Sequence, residues 1–263
     1  MAKERLRLKD KVIIITGGAQ GIGRAYALGM ADEGAKIVVA DINPEAGEAT
    51  AKDIRAKGGE ALAARTDVSS PESTQEMAKK TVERFGRIDV LVNNAAMLGR
   101  VRITRVPFYE LDLNEWDRVM AVNLRGTLLC CRAVFQQMKT QGRGKIINVS
   151  SSGFFFGNPN YVHYVTSKAG VIGLTRCMAR ELGEYKINVN CIAPGATLAD
   201  DPSDKTVYEQ RAKRLTELAV PKLCLKRIQL PEDLVGTAIF LASSDSDFIT
   251  GQTIVVDGGD VMH

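Results

Sequence analysis

The sequence is poor in several things at once, and each shortage removes a class of function. It has no apolar run approaching the ~18 residues that a membrane-crossing helix requires, so no membrane partner is expected. Its first eleven residues alternate charges with leucines and lack the apolar core of a secretory signal, which predicts a cytoplasmic protein. Only five cysteines occur, an odd number with Cys130 and Cys131 adjacent and no C-x-x-C pair. That pattern suits neither a disulfide framework nor a zinc site, and the five are expected to be small core residues in a reducing compartment. Two histidines and scattered carboxylates make no metal constellation, so no metal is expected. The charges nearly balance, at net +4, and no block of five or six basic residues exists, which argues against a nucleic-acid partner.

What is present is apolar material: 45% of 263 residues are hydrophobic and 25% charged, enough for a large buried core. Short β-branched runs recur at Val12–Ile15, Ile37–Val39, Ile88–Val92, Ile146–Val149, Ile187–Ile192 and Thr253–Val256, with a further strand expected before Asp67. Runs that are apolar at consecutive positions predict strands buried on both faces, as in a parallel sheet covered by helices. Between them, Ala25–Glu33, Glu45–Lys57, Pro71–Phe85, Asn114–Met138, Asn160–Glu184 and Pro231–Ala242 carry helical spacing, with Pro71 and Pro231 suited to first turns. The reading is one doubly wound α/β domain over residues 1–263. Its least organised stretch, Gly195–Lys226, is expected to be a loop with a short helix over a binding cleft, a substrate loop or lid.

Directly after the first strand, Thr16-Gly17-Gly18-Ala19-Gln20-Gly21-Ile22-Gly23 opens into a helix. A glycine turn alone can be a mere tight connection. Between a strand and a helix it also lets the backbone approach a pyrophosphate at a helix N-terminus, so Gly17, Gln20, Gly21, Ile22 and Gly23 are expected cofactor contacts. Asp41, eighteen positions after Gly23, closes the second strand. A carboxylate there accepts from both adenosine ribose hydroxyls and repels a 2′-phosphate, which favours NAD over NADP. The competing reading is a cap for the helix near Pro44. Asp67 and Val68 are expected to bound the adenine, and Asn94, in Asn93-Asn94-Ala95-Ala96 after the fourth strand, to lie beside the adenosine half; each alone reads equally as a turn.

Of six tyrosines only Tyr164 has a lysine four residues on, Lys168. On one helix face the two lie ~5–6 Å apart, and an ammonium at that distance favours a phenolate by about 3 kcal/mol. That equals roughly two pKa units, enough to bring a phenol towards the working range of a general base. Alone, the pair is equally readable as an exposed surface contact. The strand ending at Val149 runs into Ser150-Ser151-Ser152, at the carboxyl end of the sheet where ligands bind in such folds.

As a set these elements resemble the short-chain dehydrogenase/reductase family in its single-domain form, a Rossmann-type fold. The resemblance covers nearly the whole chain, from Thr16–Gly23 through Asn93-Asn94-Ala95, the serines, Tyr-x-x-x-Lys and Pro194-Gly195 to the Gly251-Gln252 and Asp257-Gly258-Gly259 elements. It implies that Ser151, thirteen positions before Tyr164, holds the substrate oxygen, that Tyr164 passes the proton, and that Lys168 binds the nicotinamide ribose and lowers the tyrosine pKa. It implies too that Asn123 holds a water linking Lys168 to solvent, and that Pro194, Gly195 and Thr197 contact the cofactor. Two departures stand out. Ala199 occupies the place where the family often has a carboxamide-binding Thr, and Ala96 replaces a common glycine.

The resemblance further implies a homotetramer in which the helices of Asn123 and Tyr164 pack between subunits. His163 is expected on the surface or at an interface, because it points ~100° away from Tyr164 on a helix. Arg100, Arg102 and Arg105 are candidate contacts for a substrate carboxylate, phosphate or sulfonate, against the plainer reading of a solvated loop. Phe154, Phe155 and Phe156 follow the serines and are candidates for an apolar pocket wall, or for core. The expected activity is reversible oxidation of a secondary alcohol or diol with NAD, the substrate carrying an aromatic or apolar body and an acidic group. The alternatives are a 3-oxoacyl-carrier-protein reductase, the branch that usually prefers NADPH, and a non-catalytic NAD-binding scaffold.

Overall fold

A computed structural model describes residues 6–98, 103–199 and 204–262. Strands β1 (Val12–Thr16), β2 (Lys36–Asp41), β3 (Ala61–Arg65), β4 (Val90–Asn93), β5 (Gly144–Val149), β6 (Ile187–Pro194) and β7 (Thr253–Val256) form one sheet in the order β3-β2-β1-β4-β5-β6-β7. All six neighbouring pairs are parallel. Helices α1 (Gly21–Asp32), α2 (Pro44–Ala56), α3 (Pro71–Phe85), α4 (Leu113–Met120), α5 (Gly126–Gln141), α6 (Gly153–Phe156), α7 (Val162–Leu182), α8 (Lys205–Leu218) and α9 (Val235–Ala242) complete a Rossmann-type α/β fold. Among the described residues no helix is long and apolar enough to cross a membrane.

Alternation along the strands splits the core into two layers. Ile13 and Ile15 of β1 pack with Tyr26 and Met30 of α1 and Ile239 and Leu241 of α9. Ile14, pointing the other way, joins Met77 of α3, Val134 and Met138 of α5, and Met178 of α7. Each fully buried isoleucine contributes about 1.5–3 kcal/mol. Because both faces are covered, the strand interiors read as unbroken apolar runs rather than alternation. β3 is the exception. Its sequence, Ala-Leu-Ala-Ala-Arg, lies at the sheet edge and has no β-branched residue, so its limits were not legible.

Several boundaries differ for local reasons. The first helix begins at Gly21, earlier than the apolar periodicity suggests, because the glycine turn itself enters the helix. The expected helix Asn114–Met138 is interrupted by a π-helical turn, Ala121–Arg125, centred on Asn123. Pro231–Leu234 is a tight 3-10 turn leading into α9. Side chains of Asn43, Ser70, Asp112 and Asp204 accept backbone N–H groups at the starts of α2, α3, α4 and α8. Two of the five cysteines, Cys177 and Cys224, are exposed and not core as expected: helical spacing places Cys177 on the outer side of α7, and Cys224 lies in a surface segment.

The order of the strands reverses between β1 and β4, where consecutive connections leave in opposite directions and open a crevice above the carboxyl ends. Thr16, Asn93 and the segment after Val149 all end there.

Candidate active site

The glycine turn is shaped by close approach. Gly17 has φ +63°, and a Cβ on it would sit 2.9 Å from the Ala95 Cα; a Cβ on Gly23 would sit 2.0 Å from the Gly17 carbonyl. Asn94 locks this arrangement, its Nδ2 donating to the carbonyls of Thr16 and Gly17 at 3.1 Å each. The Thr16 hydroxyl accepts from the backbone N–H groups of Asn94 (3.0 Å) and Ala95 (3.1 Å). Asn94 therefore shapes the turn from behind. At the start of α1, Gln20 supplies no side-chain cap and the first turn holds no acidic residue, unlike the starts of α2, α3 and α4. A glycine-lined helix start with open N–H groups fits a nucleotide pyrophosphate.

Asp41 stands at the end of β2, one carboxylate oxygen accepting from Ala19 N–H (3.1 Å) and the other from Asn43 N–H (3.0 Å). Asn43, not Asp41, caps α2, accepting from Glu45 and Ala46. A cleft of about 230 Å³ opens here, lined by Asp41, Asn43, Gly47, Ala63, Ala64 and Arg65 among others. The two cations near Asp41 in sequence are engaged elsewhere, Arg24 with Asp53 at 2.7 Å and Lys36 with Glu60 at 2.9 Å. Arg65, brought beside Asp41 by β2–β3 register, had no sequence signal. Asp67 accepts from the Ser69 N–H and hydroxyl, and Val68 is buried against Gly126.

Beyond β6, Gly195 passes so near Asp257 that a Cβ would meet the Asp257 side chain at 2.7 Å. Thr197 forms a bridge with Gln229, its hydroxyl donating to Gln229 Oε1 at 3.0 Å, and Ala199 lies against Gly21. The segment after Pro194 thus crosses the glycine turn. The rest of the expected substrate loop contains α8, much longer than a short helix.

Of the three serines, Ser151 is the one whose hydroxyl lies near enough to the Tyr164 phenol to favour its ionised form. Ser150 faces inward instead, donating to the Lys168 carbonyl at 2.8 Å and tying β5 to α7. Tyr164 is 7% exposed and Lys168 3%. The lysine Nζ donates to the Val149 carbonyl at 2.8 Å and lies 5.9 Å from the centre of the Tyr164 ring. Burial pushes the Tyr164 phenol up, above its ordinary value, against the lowering effect of the nearby Ser151 hydroxyl. Burial also brings the Lys168 ammonium down to about 8. The i,i+4 argument predicted a lowered phenol because it counted the charge pair and not the desolvation that both partners suffer.

Asn123 is buried. Its Oδ1 accepts from Met97 N–H at 2.7 Å and its Nδ2 donates to the Ser167 hydroxyl at 3.1 Å, linking the end of β4 to α7 beside Lys168. The π-turn around it shifts the local backbone register, and such insertions recur at functional sites.

His163 corrects its expected surface position: it is 1% exposed, with Nε2 3.0 Å from the Glu115 carboxylate. The helix turns it away from Tyr164, but α4 packs on that side, so away from the tyrosine is not towards solvent. Arg105 stacks on the Tyr161 ring, its guanidinium carbon 4.5 Å from the ring centre, and Tyr161 lies 5.0 Å from Tyr164. Arg100 and Arg102 lie outside the described residues. Phe154 and Phe156 are exposed and Phe155 is half-buried on α6, directly after Ser151 and Ser152; none is core.

Tyr161, Glu115 and Arg65 were missed as neighbours of the site. Tyr161 offered a signal, three positions before Tyr164 on the approach to the same helix, whereas Glu115 reads locally as an ordinary acidic residue in a first helical turn.

Comparison with known proteins agrees with this geometry. A family profile described as Enoyl-(Acyl carrier protein) reductase matches residues 17–260. The chain is 37% identical over 254 residues to a (2S)-[(R)-hydroxy(phenyl)methyl]succinyl-CoA dehydrogenase subunit of Thauera aromatica, covering 96% of this chain and 97% of that one. It is 37% identical over 257 residues to the 3-oxoacyl-[acyl-carrier-protein] reductase FabG of Thermotoga maritima, covering 98% and 100%. An uncharacterised oxidoreductase of Mycobacterium tuberculosis is 44% identical over 255 residues, covering 97% and 98%.

Proposed function

The chain belongs to the short-chain dehydrogenase/reductase family, and on that premise we propose that it oxidises a secondary alcohol to a ketone with NAD. It is an oxidoreductase whose family takes a nicotinamide cofactor. The observation that carries the finer reading is the buried Tyr164 phenol with the Lys168 ammonium 5.9 Å from its ring centre, beside Ser151 at the carboxyl end of β5. A bound nicotinamide supplies the hydride acceptor and, when oxidised, a positive charge.

The chain's own groups handle the oxygen and its proton. The Ser151 hydroxyl holds the substrate oxygen in place next to the phenol, and Tyr164 takes the hydroxyl proton as hydride leaves the carbon. Lys168, held by the Val149 carbonyl, favours the phenolate and binds the nicotinamide ribose. Asn123 fixes the end of β4 against α7, leaving its side chain engaged with protein groups. The role for Asn123 in holding a water would then fall to its main chain. Pro194, Gly195 and Thr197 border the nicotinamide half, and the segment 195–226 closes over the substrate.

The substrate is an alcohol with an apolar or aromatic body, received by Phe154–Phe156, and an acidic group near Arg105. A relative named for a hydroxy(phenyl)methylsuccinyl-CoA substrate supports that combination. The chain acts as a homotetramer in the cytoplasm. Oxidation of a panel of secondary alcohols, with and without carboxylates, followed by NADH formation, tests the reading.

One observation favours a second reading, a 3-oxoacyl-carrier reductase using NADPH. Arg65 lies beside Asp41 in the nucleotide cleft, where a cation suits a 2′-phosphate. The carboxylate of Asp41 is fixed by two backbone N–H groups, and it sets the preference here. NAD is expected to exceed NADP by at least tenfold in kcat/KM, about 1.4 kcal/mol. Asp41→Ala should erase that ratio, and Arg65→Ala should lower only turnover with NADP. A ratio unchanged in Asp41→Ala would make the residue a turn anchor and not a selector.

A further inference from the structure

Glu115 is 7% exposed on α4 and gathers three donors on one oxygen. Its Oε1 accepts from Thr104 N–H (2.7 Å), from the Thr104 hydroxyl (3.0 Å) and from His163 Nε2 (3.0 Å). Burial alone would raise this carboxyl, but the Thr104 and His163 bonds outweigh it and hold it below its ordinary value, so it is an ionised acceptor. The His163 nitrogen facing it must carry the proton. The other ring nitrogen, Nδ1, is buried with no partner among the described residues, so Glu115 is the polar group that orients the ring.

These bonds join three separate parts of the chain: α4, the segment after β4, and the first turn of α7 next to Tyr164. The residue after Thr104 is Arg105. Once Thr104 is pinned, the Arg105 guanidinium rests on Tyr161, which lies against Tyr164. Attraction to a ring face does not use the guanidinium N–H donors, and among the described residues Arg105 pairs with no carboxylate. Its fork is therefore available to an anion beside Tyr161, whose ring centre lies 5.0 Å from that of Tyr164.

We propose that Glu115 is a positioning residue that, through Thr104, holds Arg105 on Tyr161 as the carboxylate-binding group of the substrate site. The inference rests on the reading of Tyr164 as the group at the substrate oxygen. Glu115 does not touch the reacting atoms. It decides which alcohols are favoured: those with a carboxylate within reach of Arg105 while the hydroxyl meets Ser151 and Tyr164. His163 braces the carboxylate from the α7 side, so the clamp and the tyrosine share one rigid support.

The test separates anion recognition from general damage. Calorimetric titration of the protein–NADH complex with hydrocinnamate and with its neutral amide should show the carboxylate bound more tightly by wild type, and kinetics on matched acidic and neutral alcohols should show a lower KM for the acidic one. Glu115→Ala and Arg105→Ala should each weaken the carboxylate by about ten- to a hundredfold. In both variants the loss should fall on the anion: the carboxylate-to-amide affinity ratio and the acidic-to-neutral ratio of kcat/KM should drop by that same factor. Glu115→Gln keeps an oxygen acceptor and should restore most of the preference. Should Glu115→Ala not fold, Thr104→Val removes one of the three donors, and the carboxylate-to-amide ratio should fall at least twofold. Equal losses for carboxylate and amide, or a wild-type protein that does not distinguish them, would overturn the proposal. Because the titration needs no turnover, a protein that prefers the carboxylate yet oxidises no alcohol would refute the proposed reaction and leave the anion site standing.

Discussion

Tyr164→Phe is expected to lower kcat for alcohol oxidation by about a hundred- to ten-thousandfold, the usual range for a positioned general base, with NADH affinity within about threefold of wild type. The phenol is buried beside Ser151, so its loss removes the group that takes the proton and leaves the ring against Tyr161. The measurement pairs steady-state kcat with a direct NADH titration. A variant keeping more than a tenth of wild-type kcat would show that the proton travels by another route.

The second large effect belongs to Lys168→Met, which should damage cofactor affinity and proton transfer together. In the structure burial holds the Tyr164 phenol above its ordinary value and brings Lys168 down to about 8, so neither group is set by its chemistry alone. An ammonium 5.9 Å from the ring centre is worth about 3 kcal/mol to the phenolate at an effective dielectric near 20. The sign follows directly: oxidation needs the basic form, so activity rises with pH through the pKa of the coupled pair. Removing the cation destabilises the phenolate and should move that rise about two pH units higher, while NAD binding weakens about tenfold or more. A pH–rate profile recorded for both proteins checks this. An unmoved profile would assign Lys168 to ribose binding only.

Much of the fold was legible because the physics that made it is local. Buried parallel strands write themselves as runs such as Val12–Ile15, and the Thr16–Gly23 turn is spelled by close approaches that exclude any side chain at Gly17 or Gly23. The alanine-rich edge strand β3 left no such trace, because an edge position does not demand bulky β-branched residues. At the site, Tyr164 and Lys168 were readable from helical spacing, and Ser151 only through a family spacing. Its contact with the phenol depends on how β5 and α7 meet. The meeting of His163 with Glu115 is a contact across 48 positions between two helices, and no periodicity records it. Desolvation was invisible for the same reason. A sequence shows that Tyr164 and Lys168 are neighbours but not that both are shut away from water, and burial reverses the direction expected for the phenol.

The central claim is hydride transfer from a secondary alcohol to NAD with Tyr164 as the base, and the most direct measurement is NADH formation from secondary alcohols carrying deuterium at the carbinol carbon. The account predicts that at least one acidic, aromatic or apolar alcohol reduces NAD, more slowly when deuterated, and that this activity is lost in Tyr164→Phe. A correctly folded wild-type protein that binds NADH yet reduces neither NAD nor NADP with any alcohol of the panel, and oxidises neither reduced cofactor with the matching ketones, would contradict it.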